Sequence, residues 1–333
     1  MKEQKVFIIG SPYGLLVSLL LYSIEDNDVF VFNGDVISAR IVDKLKETNT
    51  VFIRNSNSTY AGKFGKAINT AREWKRYKNF IRRNISNDAR IVGHDHIFAI
   101  SFPFWGSFET IIEDGYINYL PYNDILSLMK KNGLRYFRIL NKIYKRKNKR
   151  EYKLYGYDES VKNVYLTDVK KKAPKLLTNV YVNSISELWK KLNSDLQQKL
   201  QSIFMVDSIW LKLHEYQEIV FLITQPLSED GLMAEEEKIR VYSEVLKGNE
   251  NKVLVKPHPR EKTDYKKYFP DAQIIDNDVP MEMIALSFDN ICRVYTCFST
   301  SASIFDGRAE IKYISLMEFP EIVKKYNLFH LYK

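Results

Sequence analysis

A histidine between two cations stands in the second half of the chain. Lys256, His258 and Arg260 alternate with two prolines, the second of which is Pro259, directly after an apolar tripeptide. The apolar residues predict a buried strand, and ligands bind beyond the carboxyl ends of strands in an open parallel sheet. An imidazole between two cations suits the negative charge that develops on a leaving phosphate. Taken alone, the pentapeptide is equally well explained as a basic surface turn.

Polar side chains that suit a nucleotide lie beside other apolar runs of the same half. The loops after parallel strands share one edge of the sheet, so we expect these segments to lie on the same edge as His258. Hydroxyl groups at helix N-termini bind phosphate, and a carboxylate accepts hydrogen bonds from ribose hydroxyls. Helix capping explains each segment separately, whereas their grouping favours a nucleotide site. The residues concerned are Gln225, Glu282, Ser299, Thr300 and Ser301.

An acidic tripeptide follows a predicted strand in the first half of the chain. It consists of Glu113, Asp114 and Gly115. A carboxylate at a strand end can act as general base toward an incoming hydroxyl group. A second Glu-Asp-Gly contains Asp230 and precedes a glutamate-rich segment, where helix capping explains it without catalysis. We therefore expect Asp114 to be the catalytic base, with Asp230 as the alternative.

His94 and His96 form a His-x-His pair after another predicted strand. Two imidazoles on one face of a strand can bind a metal ion, but the sequence offers no third ligand nearby. We expect no metal and no cofactor. The two histidines instead line an acceptor pocket on the side of Asp114, or pack in the core.

Strands and helices alternate in both halves of the chain, with a helical or irregular segment at 124–200 between them. This alternation predicts an α/β fold with parallel sheets covered by helices on both faces. We expect two Rossmann-like domains that face each other across a cleft. The predicted strands are 6–9, 29–32, 51–54, 90–93, 110–112, 218–224, 253–255, 272–275, 291–295 and 311–315.

The domain limits follow from the same pattern. Residues 1–200 are predicted to form an acceptor-side domain and residues 201–315 a nucleotide-binding domain. A closing helix within 316–333 is expected to pack back toward the first domain. The chain contains neither GxGxxG nor GxxxxGK[ST], which disfavours dinucleotide-binding and P-loop proteins.

The charge of the 333-residue chain is strongly positive, at +9, and many of the cations lie between residues 142 and 153. A basic excess points to an anionic partner, although a solvated helical face explains it equally simply. Peripheral association with an anionic membrane and a homo-oligomer both stay open, and no nucleic-acid partner is expected. Two cysteines and a poor signal peptide at the N-terminus indicate a cytoplasmic protein.

These motifs, in this order and spacing, resemble those of bacterial sialyltransferases of glycosyltransferase family 52, the capsular and lipooligosaccharide enzymes. The shared signals are the acidic tripeptide at Asp114, the His-Pro pair at His258 and the hydroxyl run 299–301. The resemblance covers most of residues 1–315. It implies a GT-B fold, a CMP-sialic acid donor and no metal ion.

The resemblance also implies roles for individual residues. Asp114 would be the base, His258 would act as acid or contact the donor phosphate, and the hydroxyl run would hold that phosphate. The leading hypothesis is an inverting sialyltransferase that acts on a galactose-terminated glycan. One alternative is a GT-B transferase that uses another nucleotide sugar. The other is a non-enzymatic RNA- or membrane-binding protein.

Overall fold

The chain divides into two compact units, Met1–Ile203 and Phe204–Lys333, and each is described by itself. The predicted domain boundary at residue 200 lies a few residues before this division. The fold is known from a computed structural model. It describes residues 3–55, 62–130, 133–175, 178–249, 253–258, 260–276, 279–297 and 299–326.

The first unit is built on a seven-stranded sheet with the strand order β3-β2-β1-β4-β5-β6-β7. Every neighbouring pair of strands is parallel, as predicted. The strand order reverses between β1 and β4, and ligands bind at such a switch point in open α/β sheets. The strands are β1 (Lys5–Ile9), β2 (Val29–Asn33), β3 (Thr50–Arg54), β4 (Arg90–Gly93), β5 (Phe108–Ile112), β6 (Asn163–Leu166) and β7 (Asn179–Val182).

Helices cover both faces of this sheet, which explains why β1 is apolar throughout. Val6 and Ile8 on one face of β1 belong to a core cluster with Phe137. On the opposite face Phe7 packs against Tyr22, which caps α1. The helices are α1 (Pro12–Leu21), α2 (Ala39–Lys46), α3 (Gly62–Asn84), α4 (Phe98–Ser101), α5 (Tyr122–Met129), α6 (Leu134–Asn148), α7 (Ile185–Lys190) and α8 (Ser194–Ile203).

The second unit contains a five-stranded parallel sheet with the order β10-β9-β8-β11-β12. Its switch point lies between β8 and β11. The strands are β8 (Ile219–Ile223), β9 (Val253–Lys256), β10 (Gln273–Ile274), β11 (Ile291–Thr296) and β12 (Glu310–Tyr313). The helices are α9 (Asp207–Leu213), α10 (Glu235–Leu246), α11 (Tyr265–Tyr268), α12 (Met281–Ser287) and α13 (Pro320–Tyr326). None of the helices among the described residues is long and apolar enough to cross a membrane.

Three features differ from the predictions or extend beyond them. Strands β6 and β7 lie in a segment that was predicted to be mostly helical or irregular. The hydroxyl run, which was expected at the N-terminus of a helix, opens a 3₁₀ helix, Thr300–Phe305. The closing helix α13 buries Ile322 and Val323 in the core of the second unit. Its predicted contact with the first domain, like the predicted cleft, stays a prediction.

Gly93 provides a test of the close pairing of β1 and β4. Its φ is +127°, and a Cβ atom there would lie 2.2 Å from the carbonyl oxygen of Ile8. Gly115 has a similar φ of +118° but open space at the Cβ position, so it is a matched control. We expect Gly115→Ala to lower the free energy of unfolding by about 1–3 kcal/mol and Gly93→Ala by roughly 4 kcal/mol, because only the latter also clashes. Urea unfolding measures both losses; equal losses would contradict the close approach.

Candidate active site

In the first unit, polar side chains meet beyond the carboxyl ends of β1, β4 and β5. Ser11 follows β1, His94 and His96 follow β4, and Asp114 follows β5. Asp114 Oδ1 accepts a hydrogen bond from Ser11 Oγ at 2.5 Å. Asp114 Oδ2 accepts one from His96 Nε2 at 3.0 Å and lies 3.9 Å from His94 Nδ1. The structure thus brings the predicted base and both predicted histidines together, and it adds Ser11, which the sequence analysis missed.

The pKa of Asp114 is set by two opposing effects. Burial alone would raise it, because a low-dielectric environment disfavours the carboxylate. The hydrogen bond from His96, the two imidazoles and the Ser11 hydroxyl outweigh burial and lower the pKa to about 2. Asp114 is therefore ionised at neutral pH and is only partly exposed, with a side-chain exposure of 21%.

His94 is a fully buried, neutral histidine. The backbone N–H of Gly10 donates to Nδ1 at 3.0 Å, so the proton of the neutral ring resides on Nε2. Burial lowers the pKa of His94 to about 4. Nε2 lies against α1, where a Cβ atom on Gly14 would come within 2.5 Å of it. Because the ring is enclosed, any influence of His94 on an acceptor passes through Asp114.

His96 lies beside a buried carboxylate, Asp95, that the sequence analysis did not single out. Its ring stacks on Tyr155 with centroids 4.4 Å apart, and its Nδ1 lies 4.0 Å from Asp95 Oδ1. Asp95 also accepts hydrogen bonds from the Tyr155 backbone N–H at 2.9 Å and the Tyr152 hydroxyl at 3.3 Å. Burial raises the pKa of Asp95 to about 6. Its position between two histidines in the sequence was the signal that could have identified it.

Glu113 and Gly115, the neighbours of Asp114 in the tripeptide, determine the local structure of the loop. Glu113 is buried, and its Oε2 accepts hydrogen bonds from the Tyr119 hydroxyl at 2.7 Å and from the Thr167 backbone N–H at 2.6 Å. This carboxylate therefore ties the end of β5 to the segment after β6. Gly115 adopts a conformation that side chains disfavour, and its missing Cβ leaves space beside Asp114.

In the second unit, His258 follows β9 with one ring nitrogen left for a ligand. The Arg260 backbone N–H donates to Nδ1 at 3.2 Å, which places the proton of the neutral ring on Nε2. Within the described residues, Nε2 forms no hydrogen bond. Burial and the charges of Arg260 and Lys256 lower the pKa of His258 below its ordinary value of 6.5. Pro259 lies outside the described residues.

The backbone of His258 is anchored by Glu261, a buried carboxylate that the sequence analysis missed. Glu261 Oε2 accepts hydrogen bonds from the His258 N–H at 2.6 Å and from the Thr224 hydroxyl. Its Oε1 accepts from the Tyr265 hydroxyl at 2.5 Å and from Lys238 Nζ at 3.3 Å. A glutamate three residues after the histidine was the sequence signal. Glu261 joins the ends of β8 and β9.

The second Glu-Asp-Gly lies in the same network. Glu229 accepts hydrogen bonds from Lys238 Nζ at 3.0 Å and from the Lys262 backbone N–H at 2.8 Å. Burial opposes these bonds, yet they lower the pKa of Glu229 to about 2. Asp230 accepts two hydrogen bonds from the Arg260 guanidinium, at 2.5 and 3.0 Å. Both carboxylates therefore hold the loop after β8 against the loop after β9.

Two predicted donor-binding side chains, those of Lys256 and Gln225, are directed into the interior of the second unit. Lys256 is buried, and its Nζ donates to the carbonyl of Asp276 at 3.0 Å and to that of Pro257 at 3.3 Å. Gln225 is also buried, and its Nε2 donates to the Thr224 carbonyl at 2.9 Å. Their direct contact with a donor stays a prediction, although the polar groups concerned already have partners.

The remaining predicted residues lie on the same edge of the sheet as His258. Ser299 Oγ and Ser301 Oγ are 2.7 Å apart at the start of the 3₁₀ turn after β11. The Thr300 side chain lies outside the described part of the chain. Glu282 is partly exposed in the first turn of α12, and burial raises its pKa. Its carboxyl group bonds no other residue among those described.

Lys238 tests the network that anchors His258. The ammonium group is fully buried between Glu229 and Glu261. We expect Lys238→Met to lower the free energy of unfolding by about 3–5 kcal/mol, because it leaves the buried carboxylate of Glu261 without its cation. Arg260→Gln is the matched control: it removes an exposed ion pair and should change stability little. Denaturant unfolding of both variants measures the two losses of stability. Similar losses would contradict the assigned roles.

His96 tests the electrostatics of Asp114. His96→Phe keeps a ring beside Tyr155 but removes the hydrogen bond, so we expect the pKa of Asp114 to rise from about 2 toward its ordinary value of 3.8. A lowered carboxyl pKa stabilises the protein by about 2 kcal/mol above pH 4, and that contribution disappears as the pH falls toward 2. The variant should therefore lose part of this stabilisation at neutral pH, because His94 and Ser11 still lower the pKa.

Carboxyl ¹³C NMR titration of Asp114 measures the shift directly. The same substitution at the exposed His214, in the second unit, is the control and should leave the titration of Asp114 unchanged. An unaltered Asp114 pKa in His96→Phe would show that His96 does not govern this carboxylate.

Three solved structures have the same fold as the chain. The α/β-galactoside α-2,3-sialyltransferase of Photobacterium phosphoreum superposes with a TM-score of 0.53 at 13% identity, over 98% of this chain and 96% of that one. The GT-B domain of a Photobacterium damselae sialyltransferase gives 0.51 at 10% identity, over 94% and 90%. The 2,6-sialyltransferase of Photobacterium sp. JT-ISH-224, solved with CMP and lactose, gives 0.53 at 14%, over 93% and 71%. These likenesses show a GT-B fold.

Sequence comparison is more specific. An uncharacterized protein of Haemophilus influenzae is 28% identical over 333 residues, which is 97% of each chain. The sequence profile of glycosyltransferase family 52 matches residues 22–318, nearly the whole length of the protein. The chain therefore belongs to glycosyltransferase family 52.

Proposed function

We propose that this protein is an inverting sialyltransferase that moves sialic acid from CMP-sialic acid to a galactose-terminated glycan, such as one of capsule or lipooligosaccharide. The observation that carries the proposal is the ionised, partly exposed Asp114, which follows β5 and bonds Ser11 and His96 beside the switch point of the first sheet. Family membership supports glycosyl transfer. The Photobacterium enzymes of the same fold support the sialyl group, and one of them was solved with CMP and lactose.

In this proposal Asp114 receives the proton of the acceptor hydroxyl group. A carboxylate of pKa about 2 is a weak base, but it is ionised at any physiological pH. Glycosyl transfer passes through an oxocarbenium-like transition state, whose strong electrophile needs little prior deprotonation of the acceptor. The acceptor hydroxyl would replace Ser11 as the donor to Oδ1, while His96 keeps Oδ2 in place.

His258 serves the leaving group. Its Nε2–H can donate a hydrogen bond to a phosphate oxygen of CMP, because Nδ1 is already occupied by the Arg260 backbone. As the glycosidic bond breaks, negative charge grows on the phosphate, and that charge strengthens the hydrogen bond and favours protonation of the imidazole. A single displacement without a covalent intermediate inverts the configuration of the anomeric carbon.

The hydroxyl run and Glu282 complete the donor site. Ser299 and Ser301 can each turn a hydroxyl proton toward the phosphate, because their present partners are each other. Glu282 can accept hydrogen bonds from the ribose hydroxyls. Side chains thus supply the charge neutralisation in this proposal, and no metal ion takes part. A chelating agent should then leave the transfer rate unchanged.

Asp114 is favoured over Asp230 as the base. Asp230 accepts two hydrogen bonds from Arg260, and an acceptor hydroxyl group would have to compete with this ion pair for the carboxylate. The partners of Asp114 are a hydroxyl and an imidazole, which keep the carboxylate ionised and oriented.

Substitution of Asp114 and His258 tests the chemistry. We expect Asp114→Asn and His258→Ala each to lower kcat/KM by roughly 100-fold to 10,000-fold, the usual effect of losing an acid or base. The assay uses CMP-sialic acid with lactose as acceptor, and thermal unfolding confirms that the variants fold. Asp230→Asn is the matched control and should lose much less activity.

The outcomes separate the alternatives. Loss of activity in Asp230→Asn with activity retained in Asp114→Asn would reverse the assignment of the base. Competitive binding of CMP, UDP and GDP tests the donor: a preference for UDP or GDP would mean a GT-B transferase with another nucleotide sugar. Tight, strongly salt-dependent binding to polyanions without nucleotide affinity would point to a non-enzymatic protein.

A further inference from the structure

The side chains of α6 form three arcs around the helix. The inner arc is buried in the core of the first unit. A second arc carries cations and a third carries apolar side chains, and both face solvent. We call the two solvent-facing arcs the α6 outer face. They consist of Arg135, Arg138, Lys142 and Arg146 and of Tyr136, Ile139 and Ile143.

The apolar arc is unusually exposed for its composition. Tyr136, Ile139 and Ile143 are 51%, 49% and 50% exposed. Their spacing of three and four residues places them in one row along the helix. A row of large apolar side chains in contact with water marks a surface that binds something apolar.

The positive charge of the cationic arc is not neutralised by acidic residues of the same helix. Helix α6 contains no acidic residue. Lys145 pairs with Glu151, but Arg135, Arg138, Lys142 and Arg146 form no ion pair within the described residues. The positive charge of the α6 outer face is therefore available to an anionic partner.

The cationic side of this face forms an open concavity with a volume of about 690 Å³. It is lined by Lys130, Leu134, Arg135, Arg138, Ile139 and Lys142. Four cations around an aliphatic floor fit a group that carries negative charge at one end and hydrocarbon at the other. A lipid headgroup with its proximal acyl chain has this chemistry.

We propose that the α6 outer face docks the protein onto an anionic lipid bilayer. An interfacial helix places aliphatic and aromatic side chains at the headgroup boundary and cations against acidic headgroups. The exposed isoleucines favour lipid over RNA, because a single-stranded nucleic acid is held by cations and stacking rings and gains little from aliphatic side chains.

Docking of this helix bears on the candidate active site of the same unit. The chain that leaves α6 continues into Tyr152 and Tyr155, which bind Asp95 and stack on His96. If the function proposed above holds, docking through α6 would bring the unit that carries Asp114 to the membrane surface. The docking itself does not depend on that function.

Co-sedimentation of the full chain with vesicles tests the proposal. We expect binding to vesicles of phosphatidylcholine with added phosphatidylglycerol and little binding to phosphatidylcholine alone. The variant Arg135→Gln/Arg138→Gln/Lys142→Gln should partition about 100-fold more weakly, because each cation near an anionic surface contributes to binding. Ile139→Ser/Ile143→Ser should bind about 10-fold more weakly at unchanged charge.

A matched control separates the α6 outer face from net charge. Lys190→Gln/Lys191→Gln/Lys199→Gln removes the same charge from exposed lysines on or beside α7 and α8, and it should bind nearly like the original chain. Equal weakening in both triple variants would overturn the proposal, as would unchanged binding in the isoleucine variant. Tight binding of single-stranded RNA with no vesicle binding would also overturn it. Thermal unfolding checks that every variant folds.

Discussion

Parallel pairing at the switch point is the constraint on which the site of the first unit depends. β1 lies between β2 and β4, and its register with β4 requires Gly93 to approach the Ile8 carbonyl closely. Because both strands run the same way, the residues that follow them leave at one edge. Ser11 and His94 therefore arrive beside each other, and β5 brings Asp114 to the same place. No side-chain interaction at the site could form without that backbone arrangement.

Each unit then uses a buried carboxylate to fix the loop that carries its histidine. Asp95 accepts the backbone N–H of Tyr155 and lies beside His96, whereas Glu261 accepts the backbone N–H of His258. Burying a carboxylate is costly unless hydrogen bonds or cations satisfy it, and both carboxylates have several such partners. A satisfied polar network of this kind holds its members in one arrangement. The histidines are thus positioned by groups that need not touch a substrate.

The sequence predicted the order of elements well where apolar runs were long and bounded. Strands β6 and β7 were not predicted because both are short, begin with asparagine and flank a lysine-rich segment. Side-chain direction was the harder problem. Glu113 and Lys256 were placed at the correct strand ends, yet their polar groups are directed inward to neighbours that are distant in sequence. Those neighbours, Thr167 and Asp276 among them, are fixed only once the strands are paired.

At neutral pH, Asp114 and His258 each have one protonation state. Asp114 is ionised because imidazoles and a hydroxyl outweigh its burial, and His258 is neutral because burial and nearby cations disfavour its charged form. At pH values above both titrations, a change of pH supplies no proton to either group. A phosphate beside Nε2 would reverse the balance at His258, since an adjacent negative charge stabilises the imidazolium. Donor binding, rather than the bulk pH, would then determine when the acid is charged.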